Sequence, residues 1–156
     1  MNSTLTLSRL AATASALLLT VGCGSGTTPE LGYVEGTITL DDQPLEGAMV
    51  MFNPAGKGRP SGAVTDVEGW YELTYSSSAM GALVGEHDVT IRTYQAPDPY
   101  AEDPAAKQGV AEKVPAKYNA RTELTKTVEP TEQVIDFQLD SEGEIVPPHG
   151  SPRIRK

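Results

Sequence analysis

Apolar and polar residues alternate along the middle of this chain, a pattern typical of β-strands that bury one face. In the stretch YVEGTITL, the residues that share one face are Val34, Gly36, Ile38 and Leu40. In AMVMFNP, they are Ala48, Val50 and Phe52. Each stretch is bounded by turn-forming residues, such as DDQPLEG between the two, so both are predicted strands.

Further stretches of the same kind continue to residue 139. GAVT and WYELTY are predicted strands joined by a tight DVEG turn, and EHDVTIRT, TELTKTV and QVIDFQL are three more. SSSAMGALVG is compatible with one helical turn. Residues 94–121 contain four prolines and no clear period, which predicts a long excursion with at most a short helix. About seven short strands without a long amphipathic helix predict an all-β fold, a β-sandwich.

Two stretches resemble a known domain. VEGTITLDDQPLEGAMVMFNP, followed by TDVEGWYELT, is similar to the carboxypeptidase regulatory-like domain, a transthyretin-like (prealbumin-like) sandwich. The matching residues are Val34, Gly36, Pro44, Leu45, Gly47, Ala48, Val50, Phe52, Thr65, Asp66, Gly69, Tyr71 and Leu73. Asp42 stands where this family usually has Gly, which predicts a looser hairpin. Gly47 and Gly69 are expected to adopt backbone angles closed to other residues, and the Asp66 carboxylate to accept turn amides.

The resemblance extends over residues 32–140. With EKVPAKYN included, the chain looks like small transthyretin-like lipoproteins of bacterial envelopes. Domains of this family are mostly accessory or binding modules, so the resemblance implies a fold and a non-catalytic role rather than a reaction.

Composition narrows the class of partner. The chain has 156 residues and a formal net charge of -9, and an acidic protein repels phosphate backbones. Nucleic acid is therefore not an expected partner. A single cysteine cannot form an internal disulfide, which excludes chemistry between paired thiols.

That cysteine, Cys23, follows an uncharged run from Leu10 to Val21 with Arg9 before it. The run is shorter than the ~20 residues that span a bilayer, and it suits a signal-peptide core. TVGC resembles the lipobox of bacterial lipoproteins, although Thr20 stands where Leu is usual. This resemblance implies cleavage before Cys23 and lipid attachment to its thiol. The alternative is an ordinary secretory signal with an incidental cysteine.

The predicted organisation has four parts. Residues 1–22 are a lipoprotein signal peptide, 23–31 a lipidated tether, 32–140 the sandwich, and 141–156 a disordered tail. Gly24, rather than the Asp associated with inner-membrane retention, favours the outer membrane.

Candidate catalytic and metal-binding residues are few. His87 is predicted to be a half-buried strand residue, and His149 lies in the tail. Two separated histidines do not form a His-rich metal site, and GxSxG is absent. Turn carboxylates are expected to be solvated, with calcium binding as the alternative; these are Asp41, Asp42, Asp66 and Glu68. We therefore predict no enzyme activity, no metal and no cofactor.

Aromatic residues are the best candidates for binding. If Tyr71 and Leu73 face the core, Trp70 faces outward, where it can stack on a sugar or contact a protein. The excursion adds three tyrosines that could line the same or a neighbouring region, namely Tyr94, Tyr100 and Tyr118. The alternative is that a loop covers Trp70.

The sequence thus predicts a membrane-anchored envelope lipoprotein with a non-catalytic interaction or structural sandwich. The alternative function is a carbohydrate-binding module at the cell surface or in the periplasm. The expected partners are the membrane, through the lipid on Cys23, and an envelope protein or polysaccharide.

Overall fold

Strand β1, Leu31–Leu40, is the central strand of the first of two sheets in a computed structural model that describes residues 29–146. It pairs antiparallel along one edge and parallel along the other. Its antiparallel partners are β2 (Gln43–Pro44), β5 (Trp70–Glu72) and β8 (Ala82–Leu83). Its parallel partners are β11 (Glu132–Val134) and β12 (Phe137–Leu139). We call this sheet I.

Sheet II has the strand order β10-β9-β3-β4-β6-β7. Its strands are β3 (Met49–Pro54), β4 (Ser61–Val64), β6 (Thr74–Ser76), β7 (Ala79–Met80), β9 (Gly85–Arg92) and β10 (Leu124–Val128). All of its pairings are antiparallel. The two sheets enclose a single hydrophobic core, so the prediction of an all-β sandwich is confirmed.

Alternating residues form that core, as their period of two requires. Fully buried side chains from the two sheets include Val34, Ile38, Tyr71 and Leu73 on one side and Val50, Phe52, Val89 and Ile91 on the other. One aromatic contact links the two sheets, because the Phe137 ring of sheet I lies 6.2 Å from the Phe52 ring of sheet II. Within sheet I, the Phe137 ring lies 6.3 Å from that of Tyr71.

The described residues contain twelve strands, partly because stretches of chain that pass from one sheet to the other are divided into separate strands. The chain from Trp70 to Ser76 pairs first with β1 in sheet I and then with β4 in sheet II. Residues 79–83 change sheets in the opposite direction, since β7 pairs with β6 in sheet II and β8 pairs with β1 in sheet I. SSSAMGALVG therefore contributes to β7 and β8, and the expectation of a helical turn there is wrong.

The excursion after β9 contains little regular structure, as its prolines predict. It has one short helix, α1 (Pro104–Gln108), and a 3-10 helix, Ala116–Tyr118. In the residues that the structure describes, no helix is both long enough and apolar enough to cross a membrane.

His87 is more buried than the sequence predicts. Its side chain is 1% exposed rather than half-buried, because it points into the core beside Phe52, with ring centroids 5.7 Å apart. Its Nε2 lies 2.7 Å from the carbonyl oxygen of Leu83. Within residues 29–146, Nδ1 of His87 and the buried hydroxyl of Ser61 have no hydrogen-bond partner.

The start of the predicted tail is held against the domain. The amide of Ser141 donates to Asp41 Oδ1 at 2.9 Å, and the amide of Ala116 donates to the Glu144 carbonyl at 2.8 Å. Ser141 and Glu144 therefore contact the rest of the domain, and the disorder of residues 141–156 stays a prediction. Residues 147–156, which include His149 and the basic residues near the end, lie outside the described part of the chain.

The β1–β2 hairpin is tighter than predicted. Leu40 pairs directly with Gln43, which leaves a two-residue loop of Asp41 and Asp42. Both have positive φ, 50° and 62°, as the turn type favoured in two-residue hairpins requires. Aspartate tolerates this region better than most residues but less well than glycine, so Asp42 imposes strain without opening the turn.

We predict that Asp42→Gly raises the free energy of unfolding by about 0.5–1 kcal/mol, because relief of strain outweighs the added freedom of the unfolded chain. Urea unfolding measures this. Asp41→Gly is the control, with a smaller gain because it removes the acceptor of the Ser141 amide. A lower urea midpoint for Asp42→Gly would contradict the prediction.

Candidate functional site

The solvent side of sheet I presents polar and aromatic side chains in register on neighbouring strands. Residues of β1 that alternate with its buried positions lie there, and they are opposed by outward residues of β5: Thr37 pairs with Trp70, and Glu35 with Glu72. We call this surface the sheet I outer face and define it by Tyr33, Glu35, Thr37, Trp70, Glu72 and Asp136.

Trp70 is 39% exposed, while the next residue, Tyr71, is fully buried. This confirms the prediction that Trp70 faces outward. The preceding turn fixes its backbone, because Asp66 Oδ1 accepts from the amides of Glu68 at 3.0 Å and Trp70 at 2.8 Å. Gly69, with φ 76°, completes the turn. The predicted roles of Asp66 and Gly69 are confirmed.

Two carboxylates face each other beside Trp70. Glu35 and Glu72 lie directly opposite on adjacent strands, an unfavourable arrangement for like charges. The Tyr33 hydroxyl donates to Glu72 Oε1 at 2.5 Å and lies 3.2 Å from Glu35 Oε2. The hydrogen bond to Glu72, partial burial and the nearby negative charges raise the pKa of Tyr33 above its usual 10.0. The hydroxyl therefore remains a donor at neutral pH.

Asp136 completes this face from the parallel edge. It lies in the break between β11 and β12, and its Oδ1 accepts from the Thr37 amide at 2.7 Å and the Thr37 hydroxyl at 2.9 Å. The face thus has three carboxylates and two aromatic rings. The alternation of the sequence could have placed Tyr33, Glu35 and Glu72 outward, but nothing in it indicated the position of Asp136.

The three tyrosines of the excursion lie elsewhere. Tyr94 is half-buried just after β9 of sheet II, and Tyr100 is 93% exposed in the loop that follows. Tyr118 is half-buried in the 3-10 helix, and its hydroxyl donates to Asp140 Oδ2 at 2.8 Å. Trp70 belongs to sheet I, so the four predicted binding residues do not share one strand face.

Two carboxylates anchor the excursion to the sandwich. Glu112 Oε1 accepts from the amide and hydroxyl of Thr93 at 2.9 and 3.0 Å, and from the amides of Lys113 and Val114. The second is Asp140, whose Oδ1 accepts a hydrogen bond from Lys117 Nζ at 2.6 Å. This pairing lowers the pKa of Asp140 and raises that of Lys117, each because the hydrogen bond stabilises the charged form.

Other candidate chemistry is limited in the described part of the chain. No group of three or more His, Cys, Asp or Glu side chains there is arranged to hold a metal ion. A cavity of ≈140 Å³ lies beside the 3-10 helix, where Arg121 is paired with Glu144 at 2.9 Å. Cys23 lies outside the described residues, so its lipidation remains a prediction.

Comparison with known proteins finds a likeness among solved structures. No family model and no curated protein matches the chain. Among solved structures, it is similar to the crystal structure of a DUF3823 family protein from Parabacteroides merdae, with a TM-score of 0.39 and 12% sequence identity over 72% of this chain and 47% of that chain. The chain thus spans about half the length of that structure, and a likeness at this level says nothing about activity.

We predict that the Lys117–Asp140 pair contributes stability at neutral pH that is lost in acid. The pKa of Asp140 is lower in the folded protein than its usual 3.8, so the contribution is present above that value and disappears as the pH falls through the folded pKa. The stability difference between the wild type and Asp140→Asn should therefore shrink below pH 3.8. Because both side chains are partly exposed, the effect is modest.

Urea unfolding at neutral and acid pH measures this difference. Glu86→Gln is the matched control, since it neutralises an exposed carboxylate of β9 for which the structure gives no side-chain hydrogen bond. A difference between wild type and Asp140→Asn that stays constant across this pH range would contradict the prediction.

Proposed function

We propose that this chain is a lipid-anchored protein of a bacterial cell envelope, and that its β-sandwich binds a partner without catalysing a reaction. The observation that supports the binding role is Trp70, a half-exposed ring whose orientation is fixed by strand pairing and by the Asp66 turn. An exposed aromatic side chain on a rigid sheet is a common anchor for binding.

The anchor is proposed at Cys23, after an uncharged run whose length suits a signal-peptide core. Each buried acyl CH₂ contributes about 0.8 kcal/mol, and two or more chains give stable attachment. Residues 23–31 would then connect the lipid to β1. Gly24 supports the outer membrane as the site of attachment.

The sandwich is proposed to be transthyretin-like. Residues of that resemblance occupy structurally demanding positions, which supports the assignment. Thr65 is buried, and its hydroxyl accepts from the Ala48 amide at 2.8 Å and donates to the Leu45 carbonyl. Gly47, with φ 69°, lies in the same connection.

A non-catalytic role is consistent with what the turn carboxylates do. Asp66 accepts two amides of its own turn, and Asp41 accepts the Ser141 amide. Both side chains therefore hold the backbone in place, a structural task.

We expect natively expressed wild-type protein to fractionate with the membrane, with the intact mass of a chain processed at Cys23 and acylated. Cys23→Ser should remain unprocessed, because it lacks the thiol that receives the lipid. Membrane fractionation and mass spectrometry measure both outcomes. A soluble wild type that begins at another residue would disprove the anchor and leave a secreted sandwich domain.

A second candidate function is carbohydrate binding, favoured by the surroundings of Trp70. The ring lies on the outer side of sheet I, beside the Thr37 hydroxyl and two carboxylates. These groups can hydrogen-bond to sugar hydroxyls. Trp70→Ala is expected to abolish retention on a polysaccharide in a pull-down assay. Unchanged retention would reject this candidate.

A further inference from the structure

The two aromatic rings of the sheet I outer face lie on either side of its carboxylate pair. Trp70 pairs with Thr37 across the two strands, and Glu72 pairs with Glu35, which lies two residues before Thr37 on β1. Tyr33 lies two residues further along the same side of β1. Tyr33 and Thr37 are therefore ~13 Å apart along β1. A linear ligand that lies along this strand would meet an aromatic ring, two carboxylates and a second aromatic ring in turn.

Charge selects among linear ligands. The outward positions along β1 from Tyr33 to Thr39, along β5, and along β11, β12 and the residues that join them are Tyr33, Glu35, Thr37, Thr39, Trp70, Glu72, Glu132, Val134, Asp136 and Gln138. This set contains four carboxylates and no lysine or arginine. Polymers with carboxylate or sulfate groups would be repelled, and polymers with ammonium groups would be attracted.

The carboxylate pair retains free hydrogen-bonding capacity. Tyr33 has a single hydroxyl proton for two carboxylates, whereas each carboxylate can accept about four hydrogen bonds. An ammonium group offers three donors and a positive charge, and the adjacent aromatic faces favour cations as well.

A sugar polymer fits this face better than a protein does. Protein interfaces have a centre depleted of charged residues, with aromatic and apolar side chains buried there. Here the charged pair Glu35 and Glu72 lies at the centre, and the aromatic rings flank it. A chain of sugar rings can place ring faces on the aromatic residues and its polar groups on the carboxylates.

We infer that the sheet I outer face binds a polysaccharide with free amino groups, and that Trp70 and the Glu35–Glu72 pair select it over acetylated and acidic polymers. This inference rests on the carbohydrate-binding candidate for the proposed function and names its ligand class. It does not depend on the lipid anchor.

The test is calorimetric titration of the full-length chain in detergent, at mildly acidic pH and physiological ionic strength. The probes are oligomers of glucosamine, of N-acetylglucosamine and of a uronic acid, together with oligolysine, all of the same length. We expect the glucosamine oligomer to bind at least about fivefold more tightly than the acetylated one, and the uronic acid oligomer not to bind.

Variants assign the binding to this face. Trp70→Ala should weaken binding of the glucosamine oligomer about tenfold, and Glu72→Gln about threefold, with a smaller effect of Glu72→Gln on the acetylated oligomer. The matched control is Glu86→Gln, which makes the same charge change on an exposed residue of sheet II. It should bind like the wild type.

Several outcomes would overturn the inference. If Glu86→Gln weakens binding of the glucosamine oligomer as much as Glu72→Gln does, the affinity depends only on the net negative charge. The same conclusion follows if oligolysine binds as tightly as the glucosamine oligomer and Trp70→Ala does not weaken its binding. Equal affinity for the acetylated oligomer would refute selection for amines. If no oligomer binds while the wild type is still processed at Cys23 and membrane-bound, the inference fails and the anchored interaction protein stands.

Discussion

The close approach of β1 to the backbone just before β11 and between β11 and β12 is the constraint on which the sandwich depends. A Cβ atom at Gly36 would lie 2.1 Å from the carbonyl oxygen of Ile135, and one at Gly32 would lie 2.0 Å from that of Glu129. Because those obstacles are backbone atoms, no side chain could be accommodated without moving a strand. The approach lets the Ile135 amide donate to the Glu35 carbonyl at 2.8 Å, so that β1 is bonded along its parallel edge as well.

The candidate binding face follows from this position of β1. Along the parallel edge of β1, the Thr37 amide donates a hydrogen bond to Asp136. Along its antiparallel edge, Trp70 pairs with the same threonine. Side chains from three distant parts of the sequence therefore meet on one surface. The face is rigid because strand pairing and the Asp66 turn fix the backbone of its members, and a fixed surface loses little entropy when a ligand binds.

Much of the fold could be predicted from local pattern. The alternation in YVEGTITL and AMVMFNP identified strands and their buried faces, and proline density identified the excursion. Trp70 could be placed outward from the parity of Tyr71 and Leu73. The burial of His87 was underestimated, because its alternation showed that it faces inward but not that Phe52 and the strands on both sides of it would enclose it. The Lys117–Asp140 ion pair could not be predicted from the alternation of apolar and polar residues, because that pattern does not show which distant side chains meet.

The sequence by itself determined the features that a few neighbouring residues control. Alternation decided which side of each strand is buried, and Asp66 with Gly69 decided the turn before Trp70, since donors and acceptor lie within four residues. Only the tertiary structure decided the pairing register, the transfer of residues 70–76 from one sheet to the other, and the meeting of Thr37 with Asp136 across 99 positions. Those contacts form only when the whole core packs. Local sequence preferences do not stabilise them, and the entropy lost in closing the long loops between them must first be offset by packing.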